Sequence, residues 1–228
     1  MKKLQRLQTT NLFYNRYVYR LRIKNDVGAI FRGMNLGTAK AKIDEMQSFA
    51  EAGQRIPFPF RFFRDKDKFL SLETFMDAYT IYSALEKNVD KCMVRVENFT
   101  LDLYSNDNDW LEDLAQKIYA VSITEPADDE SLNFLLENKN TVIQNTEVIW
   151  PYKAILGKTV DPNFATYCKS NANIKIGKRA LECIQKRHNT EGYYFFTKNE
   201  KHLMLAKIAL GGSISKIIKY VSDKELHK

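Results

Sequence analysis

From Phe13 to Lys24 the chain reads FYNRYVYRLRIK, with Arg16, Arg20, Arg22 and Lys24 on one parity and Phe13, Tyr17, Tyr19, Leu21 and Ile23 on the other. An extended strand puts alternate residues on opposite faces, so the cations form a row spaced roughly 7 to 13 Å apart. Phosphates can dock along such a row, because each guanidinium offers a planar set of donors. Tyr14 lies in the same segment; with Phe58, Phe60, Phe62, Tyr193 and Tyr194 it is a candidate to stack on bases beside the cations. Lys198, Lys216 and Lys219 extend the expected phosphate-contacting set into the C-terminal block. The competing account packs the aromatics in a core and leaves the arginines solvated or paired with acids.

A second kind of chemistry would need the carboxylates Asp102, Asp107, Asp109 and Asp113, which cluster about a strand-to-helix turn. Converging, they would suit Mg²⁺ and make a metal-dependent nuclease the enzymatic alternative. Acidic residues are also expected at a helix start, where they complement its dipole, and the spacing does not match an EF-hand loop. His188, His202 and His227 make neither an HxH pair nor an HExxH motif, and Cys92, Cys168 and Cys183 are far apart with no CxxC spacing. The thiols are expected to remain reduced and inert. No P-loop, GxSxG or GxGxxG is present, nor the glycine-and-aromatic signature of sheet-based RNA readers. No catalytic residue, cofactor or metal is therefore assigned.

Charge is segregated beneath the net +7. Residues 1–68 hold 15 Lys/Arg against 6 Asp/Glu, residues 69–150 hold 5 against 16, and residues 151–228 again hold 15 against 6. The basic ends could line a surface for a polyanion, single-stranded DNA or RNA above all, while the acidic middle block suits a protein partner. No apolar run reaches the roughly 18 residues of a spanning helix, and MKKLQRLQTTN lacks a signal peptide's apolar stretch. The expectation is a soluble, cytoplasmic protein with no membrane partner.

The elements that position these residues follow from periodicity. Ala29–Arg32 is expected to return as a short strand after a turn at Asn25–Gly28. Apolar steps of three and four from Leu36 to Ala50 predict a helix stopped by Gly53. Residues 56–63, IPFPFRFF, read as an edge strand or irregular arm. A helix over 70–86, a strand or a hairpin turning near Glu97 and Asn98 over 92–104, a helix over 107–119, a strand over 121–124 and a short helix over 131–137 follow. Beyond them lie an extended segment 148–156, a polar loop, a helix over 177–187 and a strand over 193–196. Thr197 and Glu200 have the spacing of a capping box for a helix to Leu210, stopped by Gly211 and Gly212, and a last strand covers 214–221.

A shift of 92 positions lays Leu103-Tyr104-Ser105 on Phe195-Phe196-Thr197 and Leu111 on Leu203. Strand, polar cap, helix and strand recur in that order, and each copy is preceded by an aromatic-rich strand and a helix (36–49 and 177–187). The fold expected is α+β, with two related halves that resemble split βαβ, ferredoxin-like units: residues 1–145, with a helical insertion near 69–88, and residues 146–228. The leading functional expectation is a non-enzymatic nucleic-acid-binding accessory protein, with a composition rich in Lys, Asn, Tyr and Phe that suits a viral one. The alternative is a structural or adaptor protein that binds other proteins through its separated acidic and basic patches.

Overall fold

The apolar parity of the predicted strands becomes the floor of two separate cores. The computed structural model describes residues 4–59 and 69–226. It divides into one unit containing residues up to Thr9 with Phe13–Asp128, and a second containing Thr10–Leu12 with the residues from Asp129 on. The first unit runs β1 (Gln5–Gln8), β2 (Tyr19–Lys24), α1 (Leu36–Glu51), β3 (Ile56–Pro57), β4 (Phe69–Leu70), α2 (Leu72–Asn88), β5 (Cys92–Glu97), β6 (Thr100–Ser105), α3 (Asp109–Lys117) and β7 (Ala120–Glu125). The second runs α4 (Asp129–Glu137), β8 (Thr141–Gln144), β9 (Tyr152–Leu156), α5 (Asn163–Ser170), β10 (Ile174–Ile176), α6 (Lys178–Gln185), β11 (Tyr194–Thr197), α7 (Glu200–Leu210), β12 (Ile214–Ser222) and α8 (Asp223–Leu226).

The two five-stranded sheets have one topology. In the first the order is β1-β7-β2-β6-β5, and in the second β8-β12-β9-β11-β10. In each, the last four named are antiparallel to their neighbours, and the first is an edge strand parallel to the second. Four strands in this order are the split βαβ, ferredoxin-like arrangement, so the chain is α+β with two similar halves. The 92-residue offset survives in the register: Leu21 pairs with Leu103 as Ala154 pairs with Phe195. Ser105 and Thr197, both fully buried, end the equivalent strands β6 and β11.

Helices cover one face of each sheet. In the first unit Leu21, Ile23, Leu101, Leu103 and Ile123 pack against Ile43 and Met46 of α1, Ile81 and Leu85 of α2, and Leu111 and Leu114 of α3. In the second, Ala154, Leu156, Ile174 and Phe195 pack against Phe164 and Cys168 of α5, Ile184 of α6, and Leu203, Ala206 and Leu210 of α7. Among the described residues no helix is long and apolar enough to cross a membrane.

Several local expectations change. The strand expected from Phe13 begins only at Tyr19, because Tyr14 and Asn15 take left-handed φ of 54° and 56° and close a tight turn in which the Phe13 carbonyl accepts from Tyr17 N at 2.9 Å. Ala29–Arg32 lies in a 3₁₀ stretch, Gly28–Met34, not a strand. The cap of α7 is Asn199, whose side chain accepts from His202 N at 3.0 Å; Thr197 Oγ1 instead donates to the Asn199 carbonyl. Of the 56–63 arm, Ile56–Pro57 pairs with β4, while Phe60 and Phe62 lie outside the described residues. The edge strands β1 and β8 carry no clear alternation, and α5 fills the segment read as a polar loop. Helix α6, matched to α1 by the sequence repeat, instead joins β10 to β11, where the first unit has the tight β5–β6 hairpin. The helix α4 and strand β8 belong with the second unit, whereas local sequence placed the division after residue 145; the parallel pairing of β8 with β12 is long-range.

Because Phe195 is fully buried at the centre of the second sheet, Phe195→Ala should destabilise the protein by about 3–5 kcal/mol. Urea denaturation followed by circular dichroism measures this, and an unchanged midpoint would remove Phe195 from the load of that core.

Candidate nucleic-acid interface

In each sheet the residues of the other parity lie outside the core that the helices build, and these two faces differ in charge pairing. In the first unit alternation places Arg20, Arg22 and Lys24 of β2 on this face, with Asp102 and Tyr104 of β6 and Arg95 and Glu97 of β5. Arg22 and Asp102 are Cα partners, and the guanidinium donates twice to the carboxylate, at 2.7 and 2.8 Å. The Asp102 side chain is 6% exposed and that of Arg22 37%, so the contact, with a 3.4 Å hydrogen bond donated by Tyr104 Oη, satisfies a nearly buried acid. The carboxylate raises the Arg22 pKa further, first through the hydrogen bond, against the opposing effect of burial. Arg20 donates to Thr124 Oγ1 at 3.1 Å and lies 5.1 Å over the Phe13 ring. Arg95 pairs with Glu97 and donates to Tyr14 Oη at 3.3 Å.

The left-handed turn at Tyr14-Asn15 closes this face. It lays Phe13 and Tyr14 on Tyr104, with ring centroids 5.2 and 5.1 Å away. Burial, ahead of the nearby Asp102 charge, pushes the Tyr104 phenol well above its ordinary range. Arg16, which the turn takes out of the strand, lies 5.0 Å over the Tyr17 ring. The structure thus gathers Tyr14, Arg20, Arg22 and Lys24 on one face but engages both arginines with groups of the same unit. Lys24 is exposed.

The corresponding face of the second unit is composed differently. Cα partners Lys175, Phe196, Lys153 and Ile218 run in one row across β10, β11, β9 and β12, and Tyr194, Ile155 and Lys216 form the next row. The offset that equates Tyr104 with Phe196 puts Tyr194 where the first unit has Asp102, and Ile155 where it has Arg22. An acid–base pair is thereby replaced by an aromatic and an aliphatic residue, and the lysines flank rings: Lys153 Nζ is 4.0 Å from the Tyr194 centroid and Lys198 Nζ 5.5 Å from that of Trp150. Such contacts leave the ammonium its full charge. Tyr194 and Phe196 meet edge to face at 5.4 Å, and Phe196 and Tyr220 at 6.3 Å. Burial first, and the Tyr194 phenol second, raise the Tyr220 pKa. Among the described residues Lys153, Lys175 and Lys198 form no ion pair.

Lys198 and Lys216 therefore share this face, whereas alternation puts Lys219, the partner of Tyr152 and Thr141, on the helix-bearing side. Tyr193 packs partly against the core, as does Phe58 in the first unit. Trp150, Lys153, Lys175, Phe196 and Tyr220 belong to the face and were not singled out from the sequence. The parity of the YKAIL and YFFT strands held the signal for Lys153 and Phe196; the short strand IKI is too brief to announce Lys175.

The four aspartates do not converge. Asp102 is held by Arg22. Asp107 Oδ1 accepts from Asp109 N at 3.2 Å, and its other oxygen lies 3.8 Å from Lys91, while Asp113 pairs with Lys117 at 2.5 Å. Asp102 and Asp113 are ion-paired, Asp107 closes a turn at the start of α3 and Asp109 lies in its first turn, and no group of metal-ligating side chains forms among the described residues. Burial pushes the Cys92 thiol up to about 11 and that of Cys168 to about 12, while Cys183 is half-buried. No family model, curated protein or solved structure matches the chain. The contrast between the two faces carries the chemistry.

Arg22→Ala should destabilise the protein by about 1–3 kcal/mol in denaturant titration, less than a fully buried pair because Arg22 is partly solvated, whereas Lys24→Ala should cost under about 0.5 kcal/mol. Equal effects would show that the Arg22–Asp102 contact is not structural. The raised thiols predict a pH effect of definite sign. Their stabilisation is complete below the unfolded thiol value of 9.0 and falls as pH rises through about 11 to 12, since only the unfolded chain then ionises freely. At pH 8 a thiol-reactive dye should label Cys183 quickly, with Cys92 and Cys168 following only on unfolding; three equally fast thiols would contradict the burial.

Proposed function

We propose that the second unit binds single-stranded nucleic acid across the face of its sheet opposite the core of α5, α6 and α7. The observation that carries this reading is the alternation of Lys153, Lys175 and Lys198, which form no ion pair among the described residues, with aromatics on neighbouring strands. Lysine acts as a point charge on phosphate, and binding releases condensed counterions, so the lysines supply sequence-independent affinity. Tyr194, 45% exposed, and the half-buried Phe196 and Tyr220 offer ring faces to unstacked bases. A duplex keeps its bases stacked on one another, so the aromatics favour a single strand. The face of the first unit has the same sheet order but spends its arginines on internal partners, and it has no part in this reading. Binding through the second unit is non-catalytic and makes the protein an accessory factor to its nucleic acid.

Fluorescence anisotropy with labelled single-stranded and duplex oligonucleotides over a salt series tests the reading. Lys153→Gln/Lys175→Gln/Lys198→Gln, with folding checked by circular dichroism, should weaken single-strand binding at least tenfold. It should also flatten the log–log salt slope by about 2, or roughly 0.7 for each lost phosphate contact. Tyr194→Ala should cost about 1–3 kcal/mol on single strands and leave the slope unchanged. Weak binding that is equal in parent and variants would overturn the proposal and favour the protein-adaptor alternative.

A further inference from the structure

At one end of the same sheet face, a recess of about 300 Å³ opens between the β8–β9 connection and the strands. Phe196 and Tyr220 line it, with ring planes inclined at 45°. Trp150 contributes a third aromatic wall, and Lys175 lies beside them as the Cα partner of Phe196. Gln144 and Glu147 supply the polar groups on the connection side. The volume is at the small end of ligand sites, which suits one planar ring system better than a folded segment.

Glu147 is out of keeping with its surroundings. A carboxylate on a surface built for a polyanion opposes phosphate, and Glu147 is exposed and has no ion pair or hydrogen bond among the described residues. It is the acidic member of a lining that otherwise offers aromatic rings, aliphatic side chains, an amide and an ammonium. A carboxylate only accepts hydrogen bonds, so on a bound nucleic acid what it can recognise is a base edge carrying N–H donors.

Resting on the single-strand reading above, we propose that this recess takes one unpaired guanine, its ring against Phe196, Tyr220 and Trp150 and its N1–H and N2–H₂ groups donating to Glu147. Guanine is the base that sets two adjacent donors along its pairing edge, matching the two oxygens of a carboxylate in the bidentate manner. Adenine and cytosine place a ring nitrogen acceptor beside their amino group, which opposes a carboxylate. Thymine and uracil flank their one ring N–H with carbonyls. Lys175 complements the O6 and N7 acceptors of guanine or the adjoining phosphate. The lysine rows then supply general affinity, and the recess adds selection at one nucleotide.

The test is anisotropy with oligo(dT) nonamers carrying guanine, hypoxanthine, adenine or cytosine at the centre, against the all-thymine parent. The guanine nonamer should bind about tenfold tighter than the adenine, cytosine or all-thymine nonamers, a discrimination within that of a bidentate base contact. Hypoxanthine, which lacks the 2-amino group, should lose most of that advantage. Glu147→Gln is a surface change, and it should bring all the nonamers to within about twofold of one another while leaving the salt slope nearly as steep as in the parent. Nonamers that bind alike, with a steep salt dependence, would overturn the guanine pocket and leave the single-strand reading standing. A guanine preference that survives Glu147→Gln would equally remove Glu147 as its reader. If no nonamer binds, the single-strand reading itself fails, and the pocket with it.

Discussion

A strand sends successive side chains to opposite sides, so a sheet roofed by helices on one face must settle the other face by itself. Both units of this protein meet that constraint with the same strand order and with a helical core packed on one face. Apolar residues on one parity are committed to the core as soon as the helices dock. Residues on the other parity are left to pair with one another, to be covered by a neighbouring segment, or to face water and whatever water carries.

The first unit takes the first two routes. Asp102 stands directly across from Arg22, and the bidentate contact gives a nearly buried carboxylate two charged donors. Arg20 and Arg95 find Thr124, Glu97, Phe13 and Tyr14. The turn that brings Phe13 and Tyr14 over Tyr104 needs two successive residues at positive φ. That conformation is easy for Asn15 and costly for Tyr14, so the aromatic contact has to offset it. On this face Arg22 and Arg95 are charge-paired, while Arg20 has neutral partners and Lys24 is exposed.

The second unit differs at a few positions and so behaves differently. With Tyr194 and Ile155 in place of an acid and a base, nothing on the sheet neutralises Lys153 or Lys175. Rings lie beside the ammonium groups of Lys153 and Lys198 without cancelling their charge, so this face sets positive charge next to aromatic surface. One topology thus yields a self-satisfied face and an unsatisfied one, and the difference lies in side chains rather than in the backbone.

The sequence by itself determined the amphipathic elements: the RLRIK parity, the alternation over 92–104, the helices with three-and-four spacing and the order of strand, helix and strand that recurs after 92 residues. These are local properties, since side-chain alternation and helical repeat are set within a few residues of chain. It also determined that cations abound at both ends. Only the tertiary structure decided which cations are spoken for. The partner of Arg22 is 80 residues away, and Lys153 and Lys175 come near Phe196 through strand pairing that spans 21 to 43 residues. The short strands β1, β8 and β10 were illegible for the same reason: they are stabilised by hydrogen bonds to distant strands, and their own side chains carry too little periodicity to declare them. Charge composition could report that the chain is basic, but the register alone put an aspartate opposite an arginine in one sheet and a tyrosine beside a lysine in the other.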